Sequence, residues 1–154
     1  SKVNRYPLQY HGEQVPMPDS RVTLGHDTDE TGMPRLVIDL RYCPQDVEGV
    51  IRAHELWDAH LRRHGCGRLE YHAGDLRAAI EAQAADGYHQ AGTTRMSRDP
   101  AAGVVDEHLR VHGMENLHLA SSSTFVTSGQ ANTTFMIVAF ALRLADRLGS
   151  TLRR

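Results

Sequence analysis

Cysteine is scarce in this sequence. Cys43 and Cys66 are the only two, and they have neither metal-motif nor redox-motif spacing. That excludes a disulfide framework and fits inert thiols in a reduced compartment. Long apolar runs are missing as well: the longest, Phe135 to Leu142, falls far short of the roughly 20 residues of a membrane span. No charged and apolar leader opens the chain, so a cytoplasmic location is expected. Charge of one sign is absent too. A formal net charge of −2 with interspersed signs provides no basic face for nucleic acid. The single G-x-G, Gly65-Cys66-Gly67, follows a helical pattern and lacks the third glycine of a dinucleotide fingerprint. The chain therefore carries no phosphate cradle of its own.

What remains is one domain's worth of ordinary material. The chain has 154 residues, 40% hydrophobic and 23% charged, and reads as soluble and globular. Residues 1–20 are extended. "PDSRVTL" and "DTDETGMPRLVIDLRY" are two strands around a polar turn containing Gly32, with Val22, Leu24, Leu36, Ile38 and Leu40 alternating as half-buried strands do. Pro44 opens a helix to about residue 64, with Val47, Val50, Ile51, Trp57 and Leu61 as its apolar stripe. A weaker helix runs from an Asp75 N-cap to about Ala85, closed by Gly87. Residues 109–123 read as a strand, a turn at Gly113 and a second strand. A last helix runs from about Asn132 to Leu148, with Gly149 as its stop. Its first half is apolar on every side and is expected to be buried.

Several chemistries weaken on inspection. His60 and His64 stand one helical turn apart, but Leu-Arg-Arg lies between them, without the glutamate of a zinc-protease motif. His108 and His112 flank a strand pattern without a carboxylate or thiol at ligand spacing, so no metal is expected. Ser121, Ser122 and Ser123 offer hydroxyls but no G-x-S-x-G elbow. They read as turn chemistry, or as donors to a phosphate or polyol chain. His89 alone is more often a structural histidine than a base, and Asn132 alone reads as a helix N-cap. Their occurrence together and in order is what changes the reading.

"YHQAGTTRM" (88–96), "DPAAGVVDEHLRVHGMENLHLASSS" (99–123) and "GQANTTFMIVAFALRLADRL" (129–148) resemble the C-terminal region of the glucose–methanol–choline (GMC) family of flavin oxidoreductases. The family pattern is an H-x-x-G-T-x-R-M block, then G-V-V-D…L-R-V-x-G-x-x-N-L, then a G-x-N-P-T-like helix start. "PDSRVTL" and the passage around "DLRYCPQDVE" fit as well, so the resemblance covers nearly the whole chain. Thr133 stands where the family pattern has proline.

The resemblance implies an α+β, or α/β, fold: part of a substrate-domain sheet with helices, plus the closing strand and helix of a Rossmann-like FAD domain. Residues 1–86 would belong to the substrate-binding domain. Residues 87–154 would carry the catalytic-histidine segment and finish the FAD-binding domain, whose N-terminal Rossmann part is absent here. It further implies that His89 is the catalytic base and Asn132 its substrate-orienting partner in oxidising an alcohol or sugar CH–OH. Ser121, Ser122, Asn132, Thr133 and Thr134 would contact FAD, whose site is incomplete in this chain. A chain opening at Ser1 reads as a fragment or a processed product, inactive alone and needing an FAD-binding part in the same or another chain. The alternative is a non-catalytic module that pairs with a separate flavin-carrying chain.

Overall fold

The computed structural model describes residues 4–84, 89–129 and 131–153. Secondary structure follows the order β1 (Arg21–Thr28), β2 (Pro34–Asp39), α1 (Pro44–Arg63), α2 (Leu76–Gln83), a 3₁₀ turn (Ser122–Thr124) and α3 (Thr134–Leu152). This is an α+β arrangement of helices with one small sheet.

β1 and β2 form an antiparallel hairpin in which Val22 faces Ile38 and Leu24 faces Leu36, with an irregularity before Thr28. Its turn is built by Asp29. The Asp29 carboxylate accepts from Thr31 N, Thr31 Oγ1 and Met33 N at 2.8, 2.7 and 3.0 Å, and Gly32 supplies a φ of +81°. Period-2 alternation thus identified the strands correctly but not their burial. Leu24, Leu36 and Ile38 are 67%, 67% and 72% exposed, because nothing among the described residues covers that face of the two-stranded sheet.

α1 begins where proline places it. Cys43 is the N-cap in extended conformation, and the Asp46 side chain accepts from Cys43 N at 2.7 Å. The helix ends in a Schellman motif: Cys66 N bonds Leu61 O, Gly65 N bonds Arg62 O, and Gly65 has φ +64°. Val47 is the buried member of its apolar stripe, and Trp57 is half-exposed. Asp75 caps α2 by accepting from Ala78 N at 3.1 Å, and Arg77 pairs with Glu48 to dock α2 on α1. The proposed stop at Gly87 lies outside the described residues.

Residues 95–125 hold the most completely buried side chains, Val105, Leu109 and Thr124. Two regular strands were expected over 109–123. Single bridges form instead, Val105 with Val111 and Arg110 with His118, around a turn at Gly113 (φ +78°). The reason is Asp106. Its carboxylate accepts from the N–H groups of His108 and Arg110 at 2.9 and 3.0 Å. That cage holds Leu109, a buried non-glycine residue, at φ +64° and interrupts the extended run. Burial opposes ionisation of Asp106, but the N–H groups of Arg110 and His108 hold its carboxyl below the ordinary carboxylate range.

α3 departs from expectation at both ends and on its surface. Its N-cap is Thr133 rather than Asn132. Gly149 does not stop it, because the residue stays helical and the chain continues to Leu152, with Ser150 and Thr151 hydroxyls bonding back to the carbonyls of Asp146 and Arg147. Its apolar first half is not buried: Phe135 is 80% and Leu142 63% exposed. What it does pack is Phe140, whose ring lies 5.5 Å from that of Phe125 and under the Arg143 guanidinium. No helix among the described residues is long and apolar enough to cross a membrane.

Candidate functional site

The segment after His89 is held by an extended set of bonds to the serine-rich turn. Ser122 Oγ donates to Gln90 O at 2.9 Å. Gly92 N, Thr94 N and Met96 N donate to the carbonyls of Ser122, Ser123 and Thr124 at 3.2, 2.8 and 2.9 Å. Thr94 Oγ1 adds a bond to Ser123 Oγ at 2.6 Å. Gly92 sits at φ +82°, and a Cβ there would come within 3.3 Å of Phe125 O. Residues 90–96 therefore lie alongside 122–125, with Gly92 at the close approach.

Arg95 secures the other side. Its Nε donates to Ala102 O at 2.8 Å, and its carbonyl accepts from Val104 N. Gly103 lies so close that a Cβ would meet Arg95 O at 2.7 Å and Ser97 Cβ at 2.6 Å.

Ser121 and Ser122 both serve the turn. Ser121 Oγ accepts from Ser123 N at 3.1 Å, while Ser122 Oγ is used on Gln90. Turn chemistry thus accounts for one bond of each hydroxyl. The Ser121 proton and the Ser122 lone pairs remain available as further donor and acceptor. Phe125, through Phe140, connects this turn to α3.

At the head of α3, Asn132 and Thr134 are exposed and Thr133 is buried. The first bond of the helical ladder is Ile137 N to Thr133 O. The N–H groups of Thr134, Phe135 and Met136 therefore precede the ladder, at the positive end of the helix dipole.

His89 is exposed as well, and no hydrogen bond joins it to Asn132 among the described residues. A segment that sequence reasoning passed over approaches both regions. The His11 ring lies 6.4 Å from the His89 ring, and the Glu13 carboxylate accepts from Ser128 N at 2.8 Å. Sequence separation hid these contacts, since the Glu13–Ser128 bond spans 115 positions and neither residue belongs to a recognisable pattern.

The other histidines do not assemble a metal site. The rings of His60 and His64 lie 4.4 Å apart, tilted by 44°, His112 Nε2 lies 3.0 Å from Ser97 O, and His108 borders a cavity with Arg143 and Arg147. Among the described residues, no group of three or more His, Cys, Asp or Glu side chains is placed to hold a metal ion.

Comparison with known proteins places this geometry in context. The family model described as GMC oxidoreductase, for the family's C-terminal region, matches residues 16–141. The 6'''-hydroxyparomomycin C oxidase of Streptomyces lividus is 34% identical over 134 residues, 87% of this chain and 23% of that protein. The fructose dehydrogenase large subunit of Gluconobacter japonicus is 29% identical over 143 residues, 92% of this chain and 25% of that subunit. Among solved structures, pyridoxine 4-oxidase from Mesorbium loti superposes with a TM-score of 0.54 at 26% identity, over 74% of this chain and 24% of that one. The chain thus spans about a quarter of the length of these relatives.

Proposed function

This chain belongs to the GMC oxidoreductase family, and from that premise we propose that it is the C-terminal part of an FAD-dependent oxidoreductase acting on a CH–OH group, with His89 as base and Asn132 as its substrate-orienting partner. In this reading residues 1–86 complete a substrate-binding domain and residues 87–154 complete an FAD-binding domain. The boundary falls in the stretch 85–88, outside the described residues. The observation that carries the reading is the bonding of residues 90–96 along 122–125, which ties the His89 segment through Phe125 and Phe140 to the helix that follows Asn132.

The residues present suit the ring side of a flavin rather than its pyrophosphate side. They supply an imidazole, an amide and the first-turn N–H groups of α3, whereas no glycine-rich phosphate loop occurs in the sequence. FAD, when bound, supplies the acceptor at N5 for the carbon-bound hydrogen of the alcohol. The imidazole of His89 takes the hydroxyl proton. The Asn132 amide, which is no base, holds the substrate oxygen by hydrogen bonding and sets its orientation. The N–H groups ahead of the α3 ladder favour negative charge placed against them. Ser121 and Ser122 would use their remaining hydrogen-bonding capacity on the ribityl and phosphate chain.

The histidine–asparagine pair and the likeness to a fructose dehydrogenase subunit favour a sugar-type hydroxyl as substrate. The FAD-binding remainder, in the same or another chain, is the required partner. Substitution His89→Ala in the flavin-loaded full-length protein is expected to lower turnover of such substrates by about 10²-fold or more. Turnover close to the unsubstituted rate would remove His89 from the role of base.

A further inference from the structure

With His89 and Asn132 as the working pair proposed above, their spacing depends on what holds the two segments that carry them. Within the N-terminal tail, His11 lies beside the His89 ring, and Glu13 accepts from Ser128 N. The next residues tie the tail elsewhere. Gln14 Nε2 donates to Arg41 O at 2.5 Å, and Val15 N donates to the Asp46 carboxylate at 2.7 Å. Asp46 also caps α1 by accepting from Cys43 N. This short N-terminal segment is therefore bonded to the start of α1 and reaches both halves of the site. Ser128 is four positions before Asn132 and directly precedes Gly129, which turns at φ +61°.

We propose that Glu13 is a positioning residue of the active site: by holding Ser128 N it fixes the segment that leads to Asn132 relative to His89, with His11 beside the His89 ring. A carboxylate suits this task, because its charge strengthens the bond to a backbone N–H, and a loop without such a tether would sample positions in which the amide misses the substrate oxygen. The effect belongs to substrate orientation and not to the proton transfer itself.

The test uses the flavin-loaded full-length protein and compares Glu13→Ala, Glu13→Gln and His89→Ala with the unsubstituted form. Glu13→Ala is expected to raise KM about tenfold, the scale of one charge-assisted hydrogen bond, with kcat little changed. Amide exchange in the peptide containing Ser128 should quicken while exchange in β1 and β2 stays constant. Glu13→Gln, whose amide oxygen accepts the same N–H, is expected to recover most of both effects. Unchanged KM and unchanged exchange in Glu13→Ala, in a preparation where His89→Ala abolishes turnover, would overturn the tether and leave the catalytic reading intact. Normal turnover in His89→Ala would overturn the catalytic reading itself, and with it the task assigned to Glu13.

Discussion

Asn132 stands exposed immediately before Thr133, the N-cap of α3. As a residue before an apolar helix it read as an N-cap, and its removal would then cost about 1 kcal/mol. In the folded chain the N-cap is Thr133, which is buried, and Asn132 lies exposed one residue outside the helix. The amide is thereby relieved of a structural duty. Asn132→Ala is expected to change stability by no more than about 0.5 kcal/mol, as exposed positions without special features do. In the full-length enzyme it should still raise KM several-fold. Denaturant unfolding beside steady-state kinetics checks this, and a stability loss above about 1 kcal/mol would return Asn132 to capping. The role proposed for His89 comes from three sequence blocks taken together and in order. Glu13 and His11 were not legible in the sequence, because their partners are fixed by tertiary approach and no local spacing encodes them.

At the scale of elements, local signals located α1 well. Pro44 at its first turn, the acceptor at Asp46 and Gly65 at its end are chemistries that act over a few residues. The same reasoning went wrong over 109–123, where alternation suggested two strands and the backbone instead follows the Asp106 cage around Leu109. A carboxylate that collects two backbone N–H groups competes with a strand ladder, and hydrophobic period alone does not register it. This turn has a testable pH signature. The folded-state pKa of Asp106 is lowered, so its contribution is present above the unfolded value near ~3.9 and is lost as pH falls through the folded value. Asp106→Ala is expected to cost about 2 kcal/mol at neutral pH, since two bonds to a charged acceptor go and Leu109 loses its support. The gap between the two proteins should narrow in acid, as pH falls below the ordinary carboxylate range. Thermal melts of both forms across that range decide the matter, and a gap independent of pH would mean that the turn is not held by the ionised carboxylate.

For the whole molecule, the deciding magnitude is surface. The chain exposes 12242 Å² at 17.1 kDa, whereas a free-standing folded protein of that mass exposes roughly 7,800 Å². The excess is more than a standard protein–protein interface of roughly 1,600 Å² removes from water. Much of it is apolar: the hairpin face with Leu24, Leu36 and Ile38, and the α3 face with Phe135, Val138 and Leu142. Apolar periodicity marked both faces for burial. It does not register what covers them, and no segment among the described residues packs over either face. The proposed cofactor site is divided, because binding energy from the pyrophosphate requires a glycine-rich turn at a helix start, which this sequence does not contain. The 154-residue chain mixed with FAD and passed through a desalting column is therefore expected to emerge without visible flavin absorbance, while the full-length protein retains it. A yellow short chain would show that the head of α3, Asn132 and the serine turn suffice to hold the cofactor, and the division of the site proposed here would fall.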